Sequence, residues 1–336
     1  SAVGALGEGS SNSLSKDTDL ALAIGTKLAD FTTGSWANFE NPNFKLVSVN
    51  TARYDTTKHL ATPVISDAKV GLQKISEALG DWKAPDDWYK RAIKEKNEWD
   101  AYVEKQSGPT NQEEPSYAHA VGAVYRNSDP SDIVVTAAGG LVGEVVQVWK
   151  PKQLNTFETE WGFSCMGYEI SGALGIKMAK PDQDVVVFVG DGSYLLNNTD
   201  IYSSVIYDQK LIIIVCDNGG HMVINRLQLA KGGKEYICNL RAARATNLKF
   251  VDFENHAKSM GANAETVSST SELEAAYKRA KDSDKTYVIT IKTHGYEWLE
   301  GTAFWESPTL QDPITDNNKS ALEDFESGKS KQRKGV

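Results

Sequence analysis

The sequence has few cysteines, no long apolar run and no excess of basic residues. Its three cysteines, Cys165, Cys216 and Cys238, form no CxxC pair and cannot all be bridged to one another, so we expect reduced thiols in a cytoplasmic protein. No run approaches the ~20 apolar residues that cross a bilayer, and no signal peptide opens the sequence, so no membrane partner is expected. A net charge of −9 provides no basic surface for phosphate-rich partners, which argues against nucleic acid and anionic membranes.

Length and composition indicate a globular protein with two domains. The chain has 336 residues, and domains average ~150 residues. Apolar residues make up 40% and charged residues 24%, both ordinary for a globular protein. The first residue is Ser rather than Met, and the sequence enters what looks like the middle of a pattern. We therefore expect a mature or truncated piece of a longer polypeptide.

The first 82 residues contain three short apolar runs rich in β-branched residues. These runs are DLALAIGT at 19–26, FKLVSVN at 44–50 and TPVISDA at 62–68. Helical or loop-like segments separate them, which is typical of strands joined by crossovers. A usual doubly wound sheet has five or six strands, so residues 1–82 are predicted to form a partial central Rossmann-like domain. It either lacks its beginning or completes a neighbour's sheet.

A second series of strands follows a charged helix. Residues 83–115 are amphipathic, end at Gly108-Pro109 and are predicted to be a helical linker. Continuous apolar runs predict parallel strands covered on both faces at 132–140, 184–192, 211–220 and 285–293. Helix-length segments lie between them, around 166–179, 197–208 and 271–281. The predicted fold is thus α/β with two doubly wound parallel-sheet domains, the second at 116–305, and a polar C-terminal tail at 306–336.

Polar residues follow two of the buried strands directly. Asp191 lies in GDGS, and the next strand ends in CDNGG, which contains Asn218 and Gly220. Ligands of open α/β sheets bind beyond the carboxyl ends of strands, where helix N-termini can hold a phosphate. Mg²⁺ prefers oxygen ligands, and a carboxylate, an amide oxygen and a backbone carbonyl would supply them. Gly, Asp and Asn are also ordinary turn residues, but two such loops after two strands favour a metal–diphosphate site.

The GDG motif, followed one crossover later by Asn218, resembles the fingerprint of the thiamine-diphosphate enzymes. The chain is similar to the C-terminal half to two thirds of such an enzyme. The resemblance implies that Asp191, Asn218 and the Gly220 carbonyl hold Mg²⁺. It also implies that thiamine diphosphate contacts a set of residues around this loop, namely Gly190, Asp191, Gly192, Ser193, Asn218, Gly220 and Val223. The family usually has Asn where this chain has Asp217, a mild departure because only the second residue is expected to contact the metal.

Two further segments are candidates for cofactor contact by the same resemblance. GFSCMGYEISGALG at 162–175 resembles the segment whose bulky apolar residue wedges the cofactor into a bent conformation, and Met166 occupies that place. Met is also a common core residue. Gly139 and Gly140 end another strand and either cradle the diphosphate from the other side or serve as plain turn glycines.

Several segments are similar to the trihydroxycyclohexanedione hydrolases of myo-inositol catabolism, a ring-opening group within the family. They are DFTTGSW (30–36), NPNF (41–44), KH (58–59), EWGFSCMGYEISGALG (160–175), GDGSYL (190–195) and INRLQ (224–228). The resemblance implies attack on a carbonyl of a cyclic 1,2-dione, cleavage between the two carbonyl carbons and hydrolysis to a linear deoxy-uronic acid. Alternatives are an acetolactate synthase-like carboligase or decarboxylase, and a non-catalytic truncated subunit. No GxGxxG follows a strand, which argues against a dinucleotide-binding protein.

Substrate-side candidates lie just after the metal loop. His221 and Asn225 are predicted catalytic residues, with Gln228 nearby, although a histidine after Gly-Gly can also be a solvated loop residue. The resemblance places the glutamate that activates the cofactor in an N-terminal pyrimidine-binding domain, which is not recognisable here. We therefore expect that domain to come from a missing segment or a partner chain, in a homo-oligomer (dimer or tetramer). The remaining histidines are predicted to be structural, and Trp36 to serve packing.

Overall fold

The computed structural model describes residues 2–160 and 162–333. The chain divides into two compact units, Ser1–Tyr102 with Glu300–Val336, and Val103–Leu299. This division differs from the predicted ranges 1–82, 83–115, 116–305 and 306–336, because residues 83–102, which include most of the long helix, and residues 300–336 belong to the first unit. The four ranges remain a prediction about domains.

Nine named strands form two sheets in the described part of the chain. In chain order they are β1 (Leu20–Ile24), β2 (Lys45–Asn50), β3 (Thr62–Ile65), β4 (Ile133–Thr136), β5 (Phe157–Thr159), β6 (Val185–Gly190), β7 (Ile212–Asp217), β8 (Asn263–Val267) and β9 (Tyr287–Lys292). All seven strands predicted from the sequence are confirmed. The two that were missed, β5 and β8, are the edge strands of the second sheet.

Helices cover both units. They are α1 (Gly9–Asp17), α2 (Asp30–Thr33), α3 (Arg53–Thr57), α4 (Ala68–Leu79), α5 (Asp86–Gln106), α6 (Tyr117–Arg126), α7 (Leu141–Val148), α8 (Tyr168–Ala179), α9 (Asp191–Leu196), α10 (Thr199–Ile206), α11 (Met222–Ala230), α12 (Phe253–Ser259), α13 (Thr270–Asp282) and α14 (Asp316–Ser330). A short 3₁₀ helix spans Leu240–Ala242. Within 2–160 and 162–333, none of the helices is both long and apolar enough to cross a membrane.

The first unit holds a three-stranded parallel sheet in the order β1-β2-β3. Its central strand buries Leu46 and Val49, and α4 packs Gly71 against the Val49 side chain. Asp67 starts α4 by accepting hydrogen bonds from the N–H groups of Lys69 and Val70 at 2.9 and 3.2 Å, which satisfies donors at the open end of the helix.

The C-terminal segment is more ordered than a polar tail implies. Residues 316–330 form α14, which begins with a capping box between Thr315 and Asn318. Ala321 and Phe325 are buried because residues four apart share one helix face. The polar composition of this segment therefore reflects an amphipathic helix with a narrow apolar face. The final residues 334–336 lie outside the described residues.

The second unit is built on a six-stranded sheet in the order β5-β4-β6-β7-β9-β8. Every neighbouring pair is parallel. Residues 185–189 of β6 and 212–216 of β7 have no exposed surface, as continuous apolar strands covered on both faces should. Two parallel-sheet units confirm the predicted α/β fold class. Because all strands run in the same direction, the loops after β4, β6 and β7 all lie at the carboxyl ends of the strands.

At the amino ends of the strands of the second sheet, Lys281 forms ion pairs with three aspartates. Lys281 Nζ lies 2.6 Å from Asp132, 2.8 Å from Asp129 and 2.9 Å from Asp184. Asp132 and Asp184 directly precede β4 and β6, so the ammonium group links the starts of neighbouring strands. The Asp132 side chain is only 1% exposed, so the ion pair between Asp132 and Lys281 is largely buried.

Candidate cofactor and metal site

The loops after β6 and β7 meet, as the sequence predicts. Gly190, the last residue of β6, pairs with Cys216 of β7. Asp191 follows at the start of α9, and its Oδ2 accepts a hydrogen bond of 2.7 Å from the N–H of Gly220. The crossover between these strands consists of α9 and α10 rather than one helix.

Asp191 is held in a buried position at this junction. The residue is 6% exposed, and its Oδ1 accepts a second backbone hydrogen bond, 2.9 Å from the N–H of Gly192. Burial raises the pKa of Asp191 to about 7, and the negative charge of Asp217 adds to this effect. A carboxylate removed from water beside another carboxylate is an environment that a bound cation would stabilise.

Asn218 presents an oxygen that no other group uses. The residue is 1% exposed, and its Nδ2 donates a 2.6 Å hydrogen bond to the Tyr117 hydroxyl. Its Oδ1 is buried without a hydrogen-bond partner, although buried polar atoms are nearly always paired. An amide oxygen is a suitable ligand for a hard cation, so the residues present fit Mg²⁺. The part of the chain that the structure describes has no group of three His, Cys, Asp or Glu side chains suited to a metal. The candidate site differs from such a group because it would combine one carboxylate with an amide oxygen and a backbone carbonyl.

Gly192 lies beneath two other predicted site residues. A Cβ atom on Gly192 would be 2.6 Å from Nδ1 and Cε1 of His221 and 3.5 Å from Cε of Met166. The His221 side chain is exposed, and Met166 is 37% exposed. The structure thus brings together the predicted diphosphate glycine, the predicted wedge and the predicted proton carrier, while their roles stay predictions.

The two glycines after β4 differ in their surroundings. Gly139 has a φ of +78°, and a Cβ atom placed on it would have no neighbour within 4 Å, so the space beside it is open. A Cβ on Gly140 would lie 2.2 Å from the ring of Trp298. The absence of a side chain at Gly140 is therefore explained by the packing of Trp298, and Gly139 is the better placed of the two to face a ligand.

Glu169 connects three loops of the site, and the sequence alone did not identify it. Its Oε1 accepts from the Ala138 N–H at 3.3 Å, and its Oε2 accepts from the Gly167 N–H at 2.8 Å. Burial raises the pKa of Glu169, while hydrogen bonds, including one from the Ser193 side chain, act in the opposite direction. Its position in the first turn of α8, within the family-like segment at 160–175, was the available signal. Trp161 of that segment lies outside the described residues.

Asn225 belongs to a polar cluster beside the metal loop. It is fully buried, and its Nδ2 donates to Glu235 at 2.9 Å, while its Oδ1 has no partner. Asn239 and the Tyr296 hydroxyl also donate to Glu235. Sequence reasoning missed Glu235, Asn239 and Tyr296, because they lie in loops without periodic patterns. Because Asn225 has no exposed surface and its Oδ1 is itself buried, its predicted catalytic role stays a prediction.

The remaining predicted residues occupy ordinary positions. Val223 is half-buried on α11, and Gln228 donates its side-chain amide to the Lys234 carbonyl. Trp36 is 9% exposed and lies in the apolar cluster of the first unit, with its ring 4.4 Å from that of His59. These contacts agree with a packing role for Trp36.

Residues 137–291 match the protein family described as "Thiamine pyrophosphate enzyme, C-terminal TPP binding domain". This range includes the loops that carry Gly139, Asp191 and Asn218. Residues 137–291 belong to this family of thiamine-diphosphate-binding domains, and the resemblance is confirmed. The match also agrees with the position of the site at the carboxyl ends of β4, β6 and β7.

Curated relatives extend the similarity across both units. The chain is 31% identical to the "3D-(3,5/4)-trihydroxycyclohexane-1,2-dione hydrolase" of Lacticaseibacillus casei, over 97% of this chain and 54% of the relative. It is 33% identical to the protein of that name from Bacillus licheniformis, over 90% of this chain and 52% of the relative. The protein of that name from Bacillus subtilis is 31% identical, over 90% and 52%. The chain spans about half the length of the curated relatives it matches.

A solved structure shares the fold at low sequence identity. The thiamine diphosphate-dependent 4-hydroxybenzoylformate decarboxylase of Rhodococcus jostii RHA1 superposes with a TM-score of 0.58 and 15% identity. The match covers 76% of this chain and 45% of the other. It supports the α/β architecture of the thiamine-diphosphate enzymes.

Proposed function

We propose that this chain supplies the magnesium and diphosphate side of a thiamine-diphosphate-dependent hydrolase that opens a cyclic 1,2-dione. The observation that carries the proposal is the unpartnered Oδ1 of Asn218, at the junction where Asp191 meets Gly220. The relatives named trihydroxycyclohexane-1,2-dione hydrolase supply the substrate class. A role in the cytoplasmic catabolism of inositol would follow from that substrate.

In this proposal the chain's own residues bind and orient the cofactor. Asp191, the Asn218 Oδ1 and the Gly220 carbonyl would hold Mg²⁺, and Gly192 and Ser193 at the start of α9 would contact the diphosphate. Met166 would support the ring system from below. When bound, thiamine diphosphate supplies a nucleophilic carbon for cleavage of the bond between two carbonyl carbons.

His221 and Asn225 would act on the substrate side. His221 is exposed and lies against Gly192, so its ring could hold or move a proton near the cofactor. The free Oδ1 of Asn225 could accept a hydrogen bond from a substrate hydroxyl if the loop carrying Glu235 opens. The pyrimidine-binding domain and its glutamate would come from another segment or chain, in a homo-oligomer.

Binding is the first test of the proposal. Isothermal titration calorimetry with thiamine diphosphate should give measurable binding only when Mg²⁺ is present. Asp191→Asn should abolish this Mg²⁺-dependent binding, because it removes the charged metal ligand. Asp312→Asn, at an exposed carboxylate, is the charge-matched control and should bind like the unchanged chain. Equal binding with and without Mg²⁺ would refute the metal site.

Activity is the second test. The chain would be mixed with the half of the Bacillus subtilis relative that it does not match, and supplied with either the cyclic dione or pyruvate. Consumption of the dione supports the hydrolase, and consumption of pyruvate alone favours a carboligase or decarboxylase. Mg²⁺-dependent cofactor binding with no turnover of either compound would indicate a non-catalytic subunit.

A further inference from the structure

Tyr117 lies inside the second unit and contacts the proposed metal loop. It is the first residue of α6, where Ser116 and His119 form a capping box, and it is 5% exposed. The backbone N–H of His294 also donates to the Pro115 carbonyl at 2.9 Å, which fixes the entry to this helix. The start of α6 is therefore a rigid support.

The ring of Tyr117 is fixed by an aromatic neighbour. Trp298 packs edge-on against it, with ring centroids 5.6 Å apart and planes at 81°. Trp298 in turn lies directly over Gly140. The phenol thus has little freedom, and its hydroxyl reaches the loop after β7 at a fixed point.

That hydroxyl holds one end of the Asn218 amide. Nδ2 of Asn218 donates to it at 2.6 Å, and the Oδ1 of the same planar amide is buried without a partner. The two amide atoms lie on opposite sides of Cγ, and anchoring the nitrogen therefore determines where the oxygen points. Without the hydroxyl, a buried N–H group would lose its partner and the amide could rotate.

We propose that Tyr117 is a positioning residue that orients the Asn218 oxygen toward the cation. The inference rests on the proposed function, since it requires Asn218 to be a metal ligand. Tyr117 itself touches neither metal nor cofactor in this scheme. Its effect on binding passes entirely through the Asn218 amide.

The test compares two tyrosine-to-phenylalanine variants in the whole chain. Tyr117→Phe should weaken Mg²⁺ binding about tenfold at saturating thiamine diphosphate, as expected for the loss of one orienting hydrogen bond. Tyr277→Phe is the matched control, because this residue is also buried and its hydroxyl donates to Asp132 at 2.8 Å. That hydrogen bond lies at the amino ends of the strands, away from the proposed metal loop. The control should lower stability but keep Mg²⁺ affinity within about twofold.

The outcomes separate the inference from the proposed function. Unchanged affinity in Tyr117→Phe, or equal weakening in both variants, overturns the positioning role while leaving the metal site intact. Absence of Mg²⁺-dependent binding in the unchanged chain refutes the metal site and the role of Tyr117 together. Side-chain amide exchange by NMR gives a second measurement: the Asn218 Nδ2 protons should exchange faster in Tyr117→Phe than in the unchanged chain, and equal exchange rates overturn the inference.

Discussion

Replacing Glu144 with glutamine should stabilise the chain at alkaline pH. Glu144 lies in the first turn of α7 and is 4% exposed. Its Oε1 accepts the N–H of Leu299 at 2.9 Å, and its Oε2 is buried without a partner. Burial raises the pKa of Glu144 from 4.5 to about 7, although the Leu299 hydrogen bond and the charge of Arg226 act against this.

The sign and size of the effect follow from linkage between protonation and folding. A raised carboxyl pKa means that the unfolded chain releases its proton at lower pH than the folded chain, so stability falls as pH rises from about 4.5 to about 7. Each pKa unit is worth about 1.4 kcal/mol, which gives a total cost of about 3 kcal/mol above pH 7. Glu144→Gln removes the charge, keeps the side-chain shape and retains an acceptor for Leu299.

Urea unfolding at about pH 5 and about pH 8 measures the effect. At each pH, the unfolding free energy of the unchanged chain is subtracted from that of Glu144→Gln. This difference should be about 2–3 kcal/mol larger at the higher pH, in favour of the folded variant. Comparing two pH values cancels any constant cost of the new amide group. A difference that stays the same at both pH values would refute the reasoning, because Glu144 would then ionise as it does in water.

Glu265→Gln provides the control for this experiment. Burial alone would raise the pKa of Glu265, but hydrogen bonds from Arg279 and Tyr287 outweigh it, so the pKa is lowered. The carboxylate is therefore charged at both pH values, and its loss should cost the same at each. A pH-dependent difference in this variant would point to a change elsewhere in the chain.

Two further substitutions test the loop at Gly220 and the ion cluster at Lys281. Gly220→Ala should destabilise the chain by at least ~2 kcal/mol, because the φ of Gly220 is +140° and a Cβ would lie 2.4 Å from a backbone carbonyl oxygen. The control Gly175→Ala, in a helix with open space beside it, should instead stabilise the chain by ~0.5–1 kcal/mol. Thermal unfolding that ranks the two variants the other way would contradict the structure. Lys281→Met should lower the free energy of unfolding by ~3–5 kcal/mol in urea at neutral pH, because it leaves the buried carboxylate of Asp132 without its cation. A loss below ~1 kcal/mol would show that this cluster is well solvated.

The central strands could be predicted from the sequence because burial on both faces requires a continuous apolar run. Residues 185–189 and 212–216 are such runs, and both occupy the centre of the sheet. The edge strands β5 and β8 could not be found in this way. β5 has three residues, and β8 buries only Ala264 and Val267 of its five residues, so neither contains a continuous apolar run.

The same reasoning explains which parts of the site were predictable. Asp191 and Asn218 stand beside glycines at strand ends, and strand adjacency alone brings them together. Tyr117 contacts Asn218, and Glu235 contacts Asn225, across more than one element. No local pattern of residues encodes such contacts, so they became visible only in the fold.

The bridge between Gly220 and Asn239 has a practical consequence for protein engineering. These residues pair as antiparallel strands do, and the Leu240 N–H donates to the Gly219 carbonyl at 3.0 Å. The segment 221–238 is therefore a closed loop whose two ends are fastened to each other. A fluorophore on the exposed side chain of Ile237 would lie on this loop and leave the backbone pairing of Gly220 with Asn239 unchanged.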